Sequence, residues 1–85
     1  MKSFTYVIKD ELGIHARPAG LLCKTAKKFS SEIIIEKDKK SVNASRLMLL
    51  MGLGVKCGDT VTVIIEGQDE EEAKEEMLKF FKENL

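Results

Sequence analysis

An α+β fold is predicted, an open-faced β-sandwich in which a four-stranded antiparallel sheet carries three helices on one face. Three observations lead there. Four short segments alternate or bunch β-branched residues as strands do, and three segments repeat apolar residues at helical spacing. Two of the strands also follow each other directly, separated only by a two-residue turn. The order β-α-β-β-α-β-α then places the helix-bearing connections together against one side of the sheet.

Ser3 to Ile8 alternates, with Phe4, Tyr6 and Ile8 on one face and Ser3, Thr5 and Val7 on the other, a half-buried strand. Asp10-Glu11-Leu12-Gly13 breaks it. Ala16, Ala19, Leu22, Cys23, Ala26 and Phe29 recur at helical spacing and predict a helix from Ala16 to Phe29, ended by Ser30-Ser31. Glu32 to Lys37, built on Ile33, Ile34 and Ile35, is the second strand. Asp38-Lys39 forms the tight turn into a third strand, Lys40 to Asn43, with Val42 inward. Ser45 to Gly52 lacks β-branched residues and predicts a helix of two turns, with Ser45 as its N-cap. Gly54 and Cys57-Gly58-Asp59 are turn chemistry. Thr60 to Glu66 sets Val61, Val63 and Ile65 against Thr60, Thr62 and Ile64, giving the fourth strand. In the last helix Asp69 and Glu72 read as a capping box, Glu70 to Glu72 complement the helix dipole, and Ala73, Met77, Phe80 and Phe81 form the buried stripe.

The 85 residues are expected to make one domain, 1–85, since domains average about 100–150 residues. A composition of 44% hydrophobic and 33% charged residues excludes intrinsic disorder. No apolar run approaches the roughly 18 residues of a membrane span, and the N-terminus enters a strand pattern directly, so a cytoplasmic protein without membrane insertion is expected. Cys23 and Cys57 have no metal-ligand spacing and are expected to be small buried thiols, and no metal or other cofactor is expected. Fourteen bases and fourteen acids balance, but unevenly along the chain. His15 to Lys28 holds Arg17, Lys24, Lys27 and Lys28 and no acid, whereas Glu66 to Glu83 holds eight acids against three bases. That distribution does not provide the broad basic face of a nucleic-acid binder; it suits an anion or an acidic protein partner.

The segment Gly13-Ile14-His15-Ala16-Arg17-Pro18-Ala19 carries the chemistry. The single histidine stands where a glycine-containing loop enters a helix whose first turn Pro18 marks. Free N–H groups of Ala16, Arg17 and their neighbours cradle an anion there, and Arg17 offers a guanidinium fork suited to phosphate oxygens. The helix terminus favours neutral imidazole, leaving one ring nitrogen with a lone pair. Such an arrangement accepts a phosphoryl group. A histidine at a helix start is more often a cap or surface residue, and spacing alone leaves both readings standing. No Asp, Cys or Ser partner for acid–base catalysis is evident beside it.

This run resembles the phosphohistidine motif of the HPr family, the phosphocarriers of the bacterial phosphoenolpyruvate-dependent sugar phosphotransferase system. The resemblance covers the whole chain: Lys40-Ser41-Val42-Asn43-Ala44, Met48 and Met51, Leu53-Gly54, Gly58, and Gly67 before the acidic start of the last helix. It implies a carrier modified stoichiometrically, not an enzyme. Enzyme I, charged by phosphoenolpyruvate, would pass a phosphoryl group to the δ nitrogen of His15, and the carrier would hand it to the IIA domain of a sugar-specific enzyme II. Arg17 matches the phosphate-contacting arginine. Leu47, Met48 and Met51 match an apolar docking patch, with Gly20, Lys24 and Lys27 on the neighbouring helix; by composition alone Met48 and Met51 read as core. Leu50 and Leu53 stay core. A carrier that docks on two partners in turn is expected to be a monomer.

Three departures bear on regulation. Many Gram-positive members carry a kinase-regulated serine where this chain has Arg46, and Leu49 and Gly52 replace the Gly and Ser common beside it. Ser45 is adjacent, but a Ser before a helix is ordinarily its cap. Arg46 either is a solvated charge or extends the docking surface. Leu12 stands where many carriers have a small polar residue. A second reading of the same family is a regulatory paralogue, controlling nitrogen metabolism or transcription through the same His15.

Overall fold

The computed structural model describes residues 1–85. The elements are β1 (Lys2–Val7), α1 (Ala16–Ala26), β2 (Glu32–Lys37), β3 (Lys40–Asn43), α2 (Leu47–Gly52), β4 (Thr60–Glu66) and α3 (Glu70–Asn84). The sheet runs β1-β4-β2-β3, antiparallel throughout. β4 is thus central, and it is the strand with the cleanest alternation: Val61, Val63 and Ile65 are buried while Thr60 and Glu66 reach solvent. Register puts Phe4 opposite Val63 on one side and Ile35 opposite it on the other, so the apolar rows of three strands align on the face that the helices cover. Phe81 of α3 closes that face, with edge-on contacts to Phe4 (5.8 Å) and Tyr6 (5.4 Å) between ring centroids. Asp38 and Lys39 both adopt positive φ, +49° and +69°, the pairing whose twist matches the strands of a two-residue hairpin.

The open sandwich and the element order predicted from sequence are the ones observed. Four local expectations are corrected. α1 ends at Ala26 instead of Phe29, because the Asp69 carboxylate accepts the N–H groups of Ser30 and Ser31 (both 2.9 Å) and draws the chain off the helical path. Phe29 still packs against the core from the turn, which is why its spacing looked helical. α2 begins at Leu47 with Arg46 as N-cap, and Ser45 caps nothing: its hydroxyl donates to Asn43 Oδ1 (2.7 Å). The Asp69–Glu72 capping box does not form; Asp69 is the N-cap, but its carboxylate serves Ser30 and Ser31, and Glu70 accepts the Gly67 N–H instead (3.1 Å). Of the two thiols expected to be buried, Cys23 is, while Cys57 lies exposed in the turn before β4.

No helix is long and apolar enough to cross a membrane.

Candidate functional site

The loop from β1 to α1 is held from both sides. Gly13 N–H donates to Asp10 O (3.0 Å) and Ile14 N–H to Val55 O (3.1 Å), seating the buried Ile14 against the segment before β4. Gly13 has φ +66°, and a Cβ there would meet Val55 O and come within 2.7 Å of Lys56 Cα, so glycine is required on both counts. The Val55–Asp59 segment is itself anchored. Asp59 accepts from the Lys37 ammonium (2.8 Å) first and from the Lys56 N–H (2.8 Å), which hold its carboxyl below the usual range.

With Gly13 and Ile14 fixed, His15 becomes the N-cap of α1 in an extended conformation, φ −105° and ψ −173°. Its side chain makes no capping bond, and its carbonyl accepts the Ala19 N–H (2.9 Å). The N–H groups of Ala16 and Arg17 have no partner in the protein, and Pro18 contributes none. The first turn contains no acid. His15 therefore stands at an open, positively polarised helix end. Arg17 is exposed and shares a shallow hollow with His15, Leu21, Asp10 and Glu83. Asp10 is the residue that the sequence reading missed: its Oδ2 lies 3.8 Å from His15 Nε2. The signal was an Asp followed by a Gly three residues later, which returns the chain in a turn; it was read only as a strand breaker.

α1 and α2 pack against each other and carry the rest of the predicted site. Leu50 is the buried residue of α2, and Leu53 is buried just after it, as expected. Met48 is 79% exposed, and Leu47 and Met51 also reach solvent, so these side chains are not core. Leu49 and, on α1, Leu21 are exposed apolar residues that the sequence reading did not assign to the patch. Around them stand the exposed Lys24, Lys27 and Arg46; Lys27 and Arg46 line one depression with Leu47, Met48 and Leu49. Gly20 is half-buried on α1 with open space where a Cβ would project. No three His, Cys, Asp or Glu side chains are grouped so as to hold a metal ion.

Comparison with known proteins agrees with this architecture. Residues 2–83 match the family model described as the PTS HPr component phosphorylation site. The chain belongs to the HPr family. It is 49% identical over 73 residues to the HPr-like protein Crh of Halalkalibacterium halodurans, covering 86% of this chain and 87% of that one. The crystal structure of HPr-C-His from Thermoanaerobacter tengcongensis superposes with a TM-score of 0.92 at 49% identity, covering 96% of this chain and 92% of that one. The crystal structure of Crh from Bacillus subtilis, described as a catabolite repression protein that forms a dimer through a swapping domain, gives 0.78 at 40% identity, covering 94% and 92%. This HPr-family domain is thus a phosphocarrier fold whose likenesses include both HPr and Crh.

Proposed function

We propose that His15 Nδ1 accepts a phosphoryl group from enzyme I charged by phosphoenolpyruvate, and that the domain delivers it to the IIA domain of a sugar-specific enzyme II in the cytoplasm. The observation that carries this reading is the N-terminus of α1: no side-chain cap from His15, two N–H groups without a protein partner and no acid in the first turn. The amides of Ala16 and Arg17 and the Arg17 guanidinium receive the phosphoryl oxygens, and Pro18 fixes the turn that presents them. The domain only holds the group between a donor and an acceptor; the partner proteins supply the rest of each catalytic centre. Docking uses the exposed Leu47, Met48 and Met51 beside Gly20, with Lys24, Lys27 and Arg46 turned towards an acidic partner. The domain works in this reading as a monomer, since one face serves both partners in turn. Ser45 is not a kinase site: it is half-buried, and its hydroxyl is engaged by Asn43.

A second reading, a regulator that uses the same His15, is favoured by the two curated Crh relatives at 49% and 41% identity. Intact-mass spectrometry after incubation with phosphoenolpyruvate and enzyme I tests both, with His15→Ala alongside. One acid-labile phosphoryl adduct, absent from the variant and discharged on adding a IIA domain, supports the transport carrier. An adduct that no IIA domain discharges supports the regulator, and no adduct on folded protein with its cognate enzyme I overturns phosphorylation of His15.

A further inference from the structure

The turn between β1 and α1 fixes a carboxylate before the chain reaches its histidine. Asp10 N–H donates to Leu85 O (2.8 Å), its carbonyl accepts the Gly13 N–H, and its Oδ2 accepts the Leu12 N–H (3.1 Å). Its position is therefore set by backbone contacts on both sides of the turn. That same Oδ2 is the atom 3.8 Å from His15 Nε2, and the two side chains are 37% and 39% exposed. The separation exceeds a hydrogen bond in this resting conformation but lies within the range of direct attraction; such contacts commonly tighten when a reaction places charge on the ring.

We propose that Asp10 is a positioning residue for phosphoryl transfer at His15, holding the imidazole proton on Nε2 so that Nδ1 presents its lone pair. The proposal rests on His15 being the acceptor. In the uptake step the Nδ1 pair forms the bond to phosphorus while the bond from phosphorus to the donor atom breaks, its pair leaving with the donor. No proton leaves the ring. The product is a phosphorylated imidazolium with hydrogen on Nε2, a cation formed against the positive end of α1, which opposes it. The Asp10 carboxylate faces that cation from the side opposite phosphorus and offsets the opposition. In delivery, the acceptor attacks phosphorus, the Nδ1–P bond breaks and its pair returns to Nδ1. Because Nε2 has kept its proton, the departing ring is neutral imidazole, a far better leaving group than the anion. The other charged groups lining the hollow are Arg17 of α1 and Glu83 of α3, and neither forms an ion pair with His15 or Asp10.

Asp10→Asn separates charge from geometry, since the amide oxygen can still accept the Leu12 N–H. In unphosphorylated, 15N-labelled protein at alkaline pH, long-range 1H–15N correlation reads the ratio of the two neutral tautomers of His15. Asp10→Asn is expected to lower the Nε2–H to Nδ1–H ratio by about two- to fivefold, the span of a half-exposed charge pair. Glu11→Gln and Glu83→Gln are expected to leave it unchanged. After phosphorylation with phosphoramidate, which needs no enzyme I, the hydrolysis rate of phosphohistidine should begin to fall about half a pH unit lower in Asp10→Asn than in the parent, matching roughly threefold weaker retention of the Nε2 proton. An unchanged tautomer ratio in Asp10→Asn, or an equal change in Glu11→Gln, overturns the proposal. Both readings are independent of enzyme I, so failure of the carrier role and failure of Asp10 give different results.

Discussion

α1 and α3 begin with the same backbone device and opposite electrostatics. Each has a glycine of positive φ two residues before its N-cap, Gly13 before His15 and Gly67 before Asp69. In both, a Cβ would strike another segment: Val55–Lys56 at Gly13, Ser31 at Gly67. At α3 the N-cap carboxylate is saturated by Ser30 and Ser31, and Glu70, Glu71 and Glu72 fill the first turn. At α1 the cap makes no side-chain bond and the first turn has no acid. The first arrangement fastens a helix and the second leaves it receptive. Stability available at one terminus has been withheld at the other, which in the proposed function is where an incoming phosphoryl group uses it.

The largest expected effect comes from what the two termini share. Gly13→Ala should destabilise the domain by about 1–3 kcal/mol from the left-handed backbone alone. The obstruction adds to that, because Val55 is buried and its backbone is tied to Ile14. Urea denaturation monitored by circular dichroism measures it, and Gly67→Ala should fall in the same direction. A Gly13→Ala variant as stable as the parent would mean that the loop before His15 is not held by Val55–Lys56, and the parallel between the termini would break.

Next in size is the fastening of α3. Bonds from the Ser31 hydroxyl first, and from Ser30 N–H, hold the Asp69 carboxyl below its usual range. A depressed folded value stabilises the native state above the unfolded carboxylate's pKa of about 4, and the contribution disappears as pH falls through the folded value. Asp69→Ala should therefore lower Tm at pH 7, and the gap from the parent should narrow progressively below about pH 4 as the parent loses the same interaction. A gap constant down to pH 3 would show that packing, not the charged hydrogen bonds, ties Ser30–Ser31 to α3.

The same pair of termini marks what could be read in the sequence. β4, β2 and β3 were legible to the residue because their alternation and the Asp38-Lys39 turn are local signals. His15 at a helix start was legible because Gly13 and Pro18 bracket it. The end of α1 and the role of Asp69 were not, since the Ser30–Asp69 bond spans 39 residues and no local periodicity encodes it. Asp10 lies only five residues from His15, but its approach depends on a turn closed by Gly13 N–H and supported by Leu85, a contact from the other end of the chain. Composition alone pointed Met48 and Met51 to the core, and the family resemblance placed them on a docking patch instead; the helical phase of α2, which spends its buried position on Leu50, is what exposes them.

A smaller effect tests the electrostatic difference directly. Ala16 is exposed at the first position of α1. Ala16→Glu gives this terminus the acid that α3 has, and should stabilise the domain by about 0.3–1 kcal/mol at low salt. It should also slow phosphoryl uptake at His15, because the new carboxylate repels the phosphoryl oxygens and competes for the free N–H groups. Thermal melts and phosphorylation kinetics on the same sample read both. A variant that gains stability and keeps its rate would show that the uncapped terminus is not reserved for an anion.

The smallest expected change in stability belongs to Met48→Ala. The side chain is 79% exposed and contributes nothing to the core cluster, so unfolding free energy should stay within about 0.5 kcal/mol of the parent. Transfer between enzyme I and a IIA domain should nevertheless slow, with the loss appearing as weaker docking and not as a slower step in the bound complex. Met48 is a flexible apolar side chain beside Leu47 and Leu49, next to Lys27 and Arg46, and in the proposed docking a partner covers it when its phosphoryl-bearing group reaches His15. If transfer is unaffected while Arg46→Glu slows it, the surface works through charge alone. If both are silent, docking lies elsewhere, and the exposure of four apolar residues on a six-residue helix would need another cause.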